Sequence, residues 1–209
     1  MSGSATLGRS GSLGRAASAS SARLLLFGVL TVAGGALWLY AWFQPWWDAY
    51  IVALKEYGVT IFPHAMVVGG TLKDYPQWLV GAEMPSWFFP AMWFFLAACI
   101  GALVFSLFVF EDRIRLFKWN MSLPTAVVGA VGVAFLVFVI VFALVVAIRA
   151  PVFYGASLQG AVFIHMAEHE GAAESYVNTK LEVGYWLACA AGAFLVVLAL
   201  LRDKIVGYA

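Results

Sequence analysis

Residues 124–148 read PTAVVGAVGVAFLVFVIVFALVVAI. They carry no Asp, Glu, Lys, Arg or His, and as a helix rising ~1.5 Å per residue they reach roughly 37 Å. That exceeds the ~30 Å hydrocarbon core of a bilayer, so the stretch reads as a transmembrane helix rather than a buried helix of a soluble core. Pro124 suits the first turn, where a missing N–H costs nothing, and Arg149 follows the last apolar residue.

Working outward, three further stretches have the same character: 24–43, 87–110 and 183–201. Arg23 precedes the first, Glu111 follows the second and Arg202 follows the fourth. The chain as a whole is 64% hydrophobic and 11% charged, against about 45–50% and 25% in soluble domains. Lipid must therefore solvate much of it. The expected fold is an all-α membrane protein, a four-helix antiparallel bundle (residues 24–209) behind a Ser/Gly/Arg-rich tail (residues 1–23). Long outer loops at 44–86 and 149–182 are expected to form a cap of loops and short helices.

Basic residues set the orientation. Arg9, Arg15 and Arg23 in the tail, Arg113, Arg115 and Lys118 between the second and third spans, and Arg202 and Lys204 at the end lie on one side. Only Lys55, Lys73, Arg149 and Lys180 lie on the other. The Lys/Arg excess places both termini in the cytoplasm, in a plasma, inner or organellar inner membrane. Residues 1–23 read as a solvated tail rather than a transit peptide. The apolar run through Phe43 is too long for a cleaved signal core and favours a retained anchor. Trp38, Trp42, Trp46, Trp47, Trp87, Trp93 and Trp186 gather at outward helix ends, as an interfacial belt would.

Within the first outer loop, Trp46, Trp47, Tyr50, Ile51, Leu54 and Tyr57 recur at helical spacing, which predicts an amphipathic interfacial helix. In the second, a helix is expected from about Leu158 to Val177. Both loops are expected to pack together above the spans, where recognition would occur.

The sharpest local motif is His165-Met166-Ala167-Glu168-His169. Residues four apart share a helix face, so His165 and His169 could bind one metal ion with Glu168 beside them. The string resembles the H-x-x-E-H motif of inverted metallopeptidases. That family needs a further carboxylate far downstream in a large soluble domain, and here a membrane span follows instead. His64 is the candidate third nitrogen ligand, and zinc or copper are the metals such a set would take. The bland alternative is a wet helix face.

Other chemistry is excluded or unmarked. A net charge of +1 argues against nucleic acid as a partner. Cys99 and Cys189 fall inside apolar runs with no CxxC, which argues against disulfide chemistry. Proton relays and ion pathways place ionisable residues within the bilayer, and these four spans hold none. Small residues four apart, such as Ala188 and Gly192, allow close helix contact.

A long first outer loop, a shorter second one and cytoplasmic ends together resemble the claudin-like tetraspans. The first outer loop lacks the cysteines of that family's W-GLW-C-C pattern, so the likeness is one of topology. It implies a self-associating tetraspan that meets its partners through its loops. The sequence favours instead a non-catalytic subunit of a larger membrane complex, of the respiratory or monooxygenase type. Its partners would be membrane lipids and other membrane subunits or copies of itself. A metal-binding oxidoreductase subunit using His165 and His169 is the further alternative.

Overall fold

The computed structural model describes residues 9–51, 54–68, 71–73, 88–108, 113–116, 119–154, 157–164 and 175–206. Four helices dominate: α1 (Arg9–Trp42), α2 (Phe88–Phe108), α3 (Leu123–Tyr154) and α4 (Val183–Val206). Each contains a segment long and apolar enough to cross a membrane: Ser21–Trp42, Pro90–Phe108, Leu123–Pro151 and Val183–Arg202. These four match the four stretches read from the sequence to within a few residues, and they make a multi-pass membrane protein by length and composition.

Helix contacts are uneven. The α3–α4 and α1–α4 seams are extensive, while α2 touches α1 and α3 more sparsely. The tightest approach has a simple cause. A Cβ on Gly132 would lie 2.9 Å from the Val196 backbone nitrogen and 3.0 Å from the Gly192 carbonyl oxygen. Two glycines thus let α3 and α4 meet backbone to backbone, which substitutes for the absent hydrophobic drive in lipid. Outward from these seams, Phe94, Phe108, Ile140, Ile148 and Leu200 are exposed, as lipid-facing residues of a spanning helix would be. Buried hydroxyls within the spans turn back on their own helices: Thr31 Oγ1 donates to the Phe27 carbonyl at 2.9 Å and Ser106 Oγ to that of Leu103 at 2.6 Å.

Between the helices lie strands rather than the short helices expected. After α1 come β1 (Trp47–Ile51), β2 (Leu54–Ile61), β3 (Met66–Val68) and β4 (Thr71–Lys73). After α3 come β7 (Gly160–Ile164) and β8 (Ser175–Leu181). All six form one antiparallel sheet in the order β4-β3-β2-β1-β8-β7. The β1–β8 pair joins the two loops, with Trp47 opposite Leu181 and Asp48 opposite Lys180. A separate two-stranded ladder, β5 (Arg113–Leu116) with β6 (Trp119–Ser122), connects α2 to α3.

The fold is mostly helical, as expected of an all-α membrane protein, with a small sheet besides. The sheet corrects two expectations: residues 47–51 and 54–57 are strand rather than amphipathic helix, and Leu158–Val177 does not start or end as a helix. Burial explains the first loop. Trp47 and Ala49 are buried while Asp48 and Tyr50 between them are half-buried, a period of two that suits a pleated strand. Val59, Thr60 and Ile61 add β-branched side chains, which fit strands well.

Candidate functional site

The place where α1 hands over to the sheet is the most elaborately built part of the molecule. Trp38 and Trp42 are four apart on α1 and so share a face; Trp46 and Trp47 follow immediately after the helix. All four are fully buried. Trp38 stacks on Phe135 of α3 with ring centroids 3.7 Å apart and planes 5° from parallel. Trp46 packs edge-on against Trp38, Phe138, Phe142 and Tyr185. Oriented aromatic pairs contribute about 0.5–1.5 kcal/mol each beyond their burial, so the cluster fixes α1, α3 and α4 to one another at this level.

Hydrogen bonds tie the same residues to the sheet. The Trp46 backbone N–H donates to the Ile61 carbonyl at 2.8 Å, and its carbonyl accepts from Glu182 N–H at 2.9 Å. Its indole N–H donates to the Ala41 carbonyl at 2.8 Å. Trp47 Nε1 donates across the loops to the Leu158 carbonyl at 2.8 Å, and Thr179 Oγ1 donates to that of Ser157, also at 2.8 Å. Gly184 completes the joint: a Cβ there would lie 2.5 Å from the Pro45 carbonyl oxygen, to which the Gly184 N–H donates at 3.0 Å.

This corrects the reading of the tryptophans as an interfacial belt. Trp93 and Trp186, at 36% and 56% exposure, sit as a belt would. Trp38, Trp42, Trp46 and Trp47 instead turn inward and form the core. Their spacing carried that signal: 38, 42 and 46 repeat every four residues, and one inward helix face extends into the connection.

His64 lies at the edge of the cluster, on the turn between β2 and β3. Its ring is surrounded by Trp42, Phe43, Phe62 and Trp93, with centroids 5.2–6.4 Å away. Burial lowers its pKa below the usual 6.5, partly offset by a hydrogen bond to the Trp42 carbonyl. Its Nδ1, and the indole N–H groups of Trp38 and Trp42, are buried without hydrogen-bond partners among the described residues. One acceptor and two donors are thus left for water or a small polar guest.

On the other side of the joint, Asp48 is raised above its usual 3.8. Burial is the main cause, opposed by the hydrogen bond from Thr60 Oγ1 at 2.8 Å; Glu182 raises it further and Lys180 lowers it.

The sequence motif at His165, Glu168 and His169 lies outside the described residues. His64, offered as its third ligand, is found in an aromatic cage. Among the described residues no group of three or more His, Cys, Asp or Glu side chains comes together as a metal site would. Compared with protein-family models and with curated proteins, the chain matches none.

Proposed function

We propose that this protein is a non-catalytic, multi-pass subunit of a larger membrane assembly, of the respiratory or monooxygenase type. Its four helices stand as an antiparallel bundle and its outer sheet is the platform on which partner subunits rest. The observation that carries this reading is the β1–β8 pairing, which fuses two loops into a single sheet hydrogen-bonded to a tryptophan core. A platform so tied to its helices suits holding another polypeptide in a set orientation, because a rigid docking face loses little entropy on binding.

Extraction in a gentle detergent followed by native mass measurement tests the proposal. The expected mass greatly exceeds 22.6 kDa plus the micelle, with other polypeptides co-purifying. A folded lone monomer would overturn it.

The orientation belongs to the same proposal: termini and the β5–β6 ladder cytoplasmic, the six-stranded sheet outside, on the Lys/Arg asymmetry. Cysteine at Ser12 or Arg115 should be shielded from an impermeant thiol reagent in intact cells, and cysteine at Lys73 should react. Reaction at Arg115 reverses the orientation.

A second reading, self-association in a claudin-like topology, is favoured by the sheet's margins. Among the described residues β4 and β7 each pair on one side only, and such edges are templates for another strand. Phe163 on β7 faces Tyr176 on β8, ring centroids 5.2 Å apart, and both are exposed. Native masses at whole multiples of the chain, with no other polypeptide, would favour this reading over the first.

A further inference from the structure

The loose side of the molecule contains a groove. It runs along α1 near the ends of the helices that share a side with the termini, and encloses about 620 Å³. Its walls are mostly apolar, with Leu24, Phe27 and Val32 from α1 and Leu107 from α2; Ser21, Ser106 and Arg202 are its polar lining residues. Smaller space of about 170 Å³ continues outward along the same seam, sharing Val32 and Leu107.

Three features define what fits. From Ser21 to Val32 the helix rises ~16 Å, about half of the ~30 Å hydrocarbon thickness, so the groove has the depth of one leaflet. Its wall is mostly hydrocarbon, which matches an acyl chain. Its lining carries one cation: the Arg202 guanidinium lies 5.7 Å from the centroid of the Phe27 ring. Arginine matches phosphate oxygens in a bidentate fork, and basic pockets between spanning helices bind anionic lipid head groups.

We propose that this groove is a binding site for one anionic glycerophospholipid, an acyl chain lying along α1 and the head-group phosphate held by Arg202. The lipid fills the seam that α1 and α2 leave open, so it is a structural component rather than bulk solvent. This is independent of which polypeptides the outer sheet meets.

The test uses the full-length protein, delipidated by detergent exchange and offered dioleoyl phosphatidylglycerol or dioleoyl phosphatidylcholine, with bound lipid counted by native mass spectrometry. The acyl chains are identical, so only the head group differs. One phosphatidylglycerol per chain is expected, at about fivefold preference over phosphatidylcholine. Arg202→Gln should erase the preference, Arg202→Lys should retain part of it, and Lys204→Gln should leave it intact. Gly28 lines the groove with 3.7 Å between a built Cβ and Leu107. Gly28→Met should therefore displace both lipids, while Gly28→Ala, which fits, should bind as wild type and serve as the folding control. Equal retention of the two lipids by the wild type, or undiminished preference in Arg202→Gln, overturns the proposal. So does a second copy or another polypeptide occupying the groove with no lipid retained.

Discussion

The α3–α4 seam and the α1–α2 seam are built from the same kinds of residue and behave as opposites. In the first, Gly132 and Gly192 bring two backbones into contact. In the second, Gly28 and Gly35 also face a neighbouring helix, but across leucine side chains, and a groove stays open beside them. Glycine therefore does not itself create close packing. The outcome depends on whether the opposite helix presents backbone or a side chain at the same height. One side of the molecule is consequently tightly packed and the other more open.

The largest effect that could break this contrast is expected at Gly132. Gly132→Val forces a side chain into the α4 backbone, and overpacking of this kind costs about 1–3 kcal/mol or more. Thermal unfolding followed by tryptophan fluorescence should show a clear drop. Gly28→Ala in the loose seam should stay within about 0.5 kcal/mol of wild type. Equal penalties at the two sites would abolish the distinction.

The next effect lies on the tightly packed side, where the helices meet the sheet. Trp47→Phe removes the indole N–H that reaches the half-buried Leu158 carbonyl, and loss of such a bond costs about 0.5–1.5 kcal/mol. Because that bond joins the two loops, hydrogen exchange should rise at β7 and β8 as well as at β1. A rise confined to β1 would mean that the sheet is not held through this bond.

A smaller effect is expected on acidification. The His64 pKa is lower folded than unfolded, so between the two values the unfolded chain binds more protons. Stability is then fully present above about pH 6.5 and is lost as pH falls through the folded pKa. His64→Gln should flatten this part of the pH profile. An unchanged profile would place the sensitivity elsewhere.

The smallest effect is expected at Asp48, whose pKa is raised when folded. Here the sign reverses: its contribution is fully present below the usual 3.8 and falls as pH rises through the folded value. Asp48→Asn keeps an oxygen for the Thr60 hydroxyl and removes the buried charge, so the melting temperature at neutral pH should hold or rise slightly. A marked fall would show that the charge itself holds β1 to β8.

The spans were legible because an unbroken apolar run such as 124–148 admits one reading in any context. The six-stranded sheet was not. Trp46, Trp47, Tyr50, Ile51, Leu54 and Tyr57 fit a helix by spacing, while Trp47 and Ala49 alternate with Asp48 and Tyr50 as a strand. The choice is made by β8, far along the chain, and a local pattern carries no record of a distant partner. The core role of Trp38, Trp42 and Trp46 was readable from their four-residue repeat, whereas the aromatic cage around His64 required the turn after β2 to fold back onto α1. The groove at Arg202 needed all four helices in place before it could be seen.

The β1–β8 pairing also sets a timetable. Asp48 and Lys180 are partners yet about 130 residues apart, and at ~5–20 residues per second roughly ten seconds of synthesis separate them. Throughout that interval β1 stands with one bare edge, inviting the wrong strand. Two more helices must enter the membrane before the right one arrives. Completing the sheet is thus a late act of assembly, with only α4 still to enter the membrane, and a ribosome stalled between α2 and β8 would leave a chain with that edge still open.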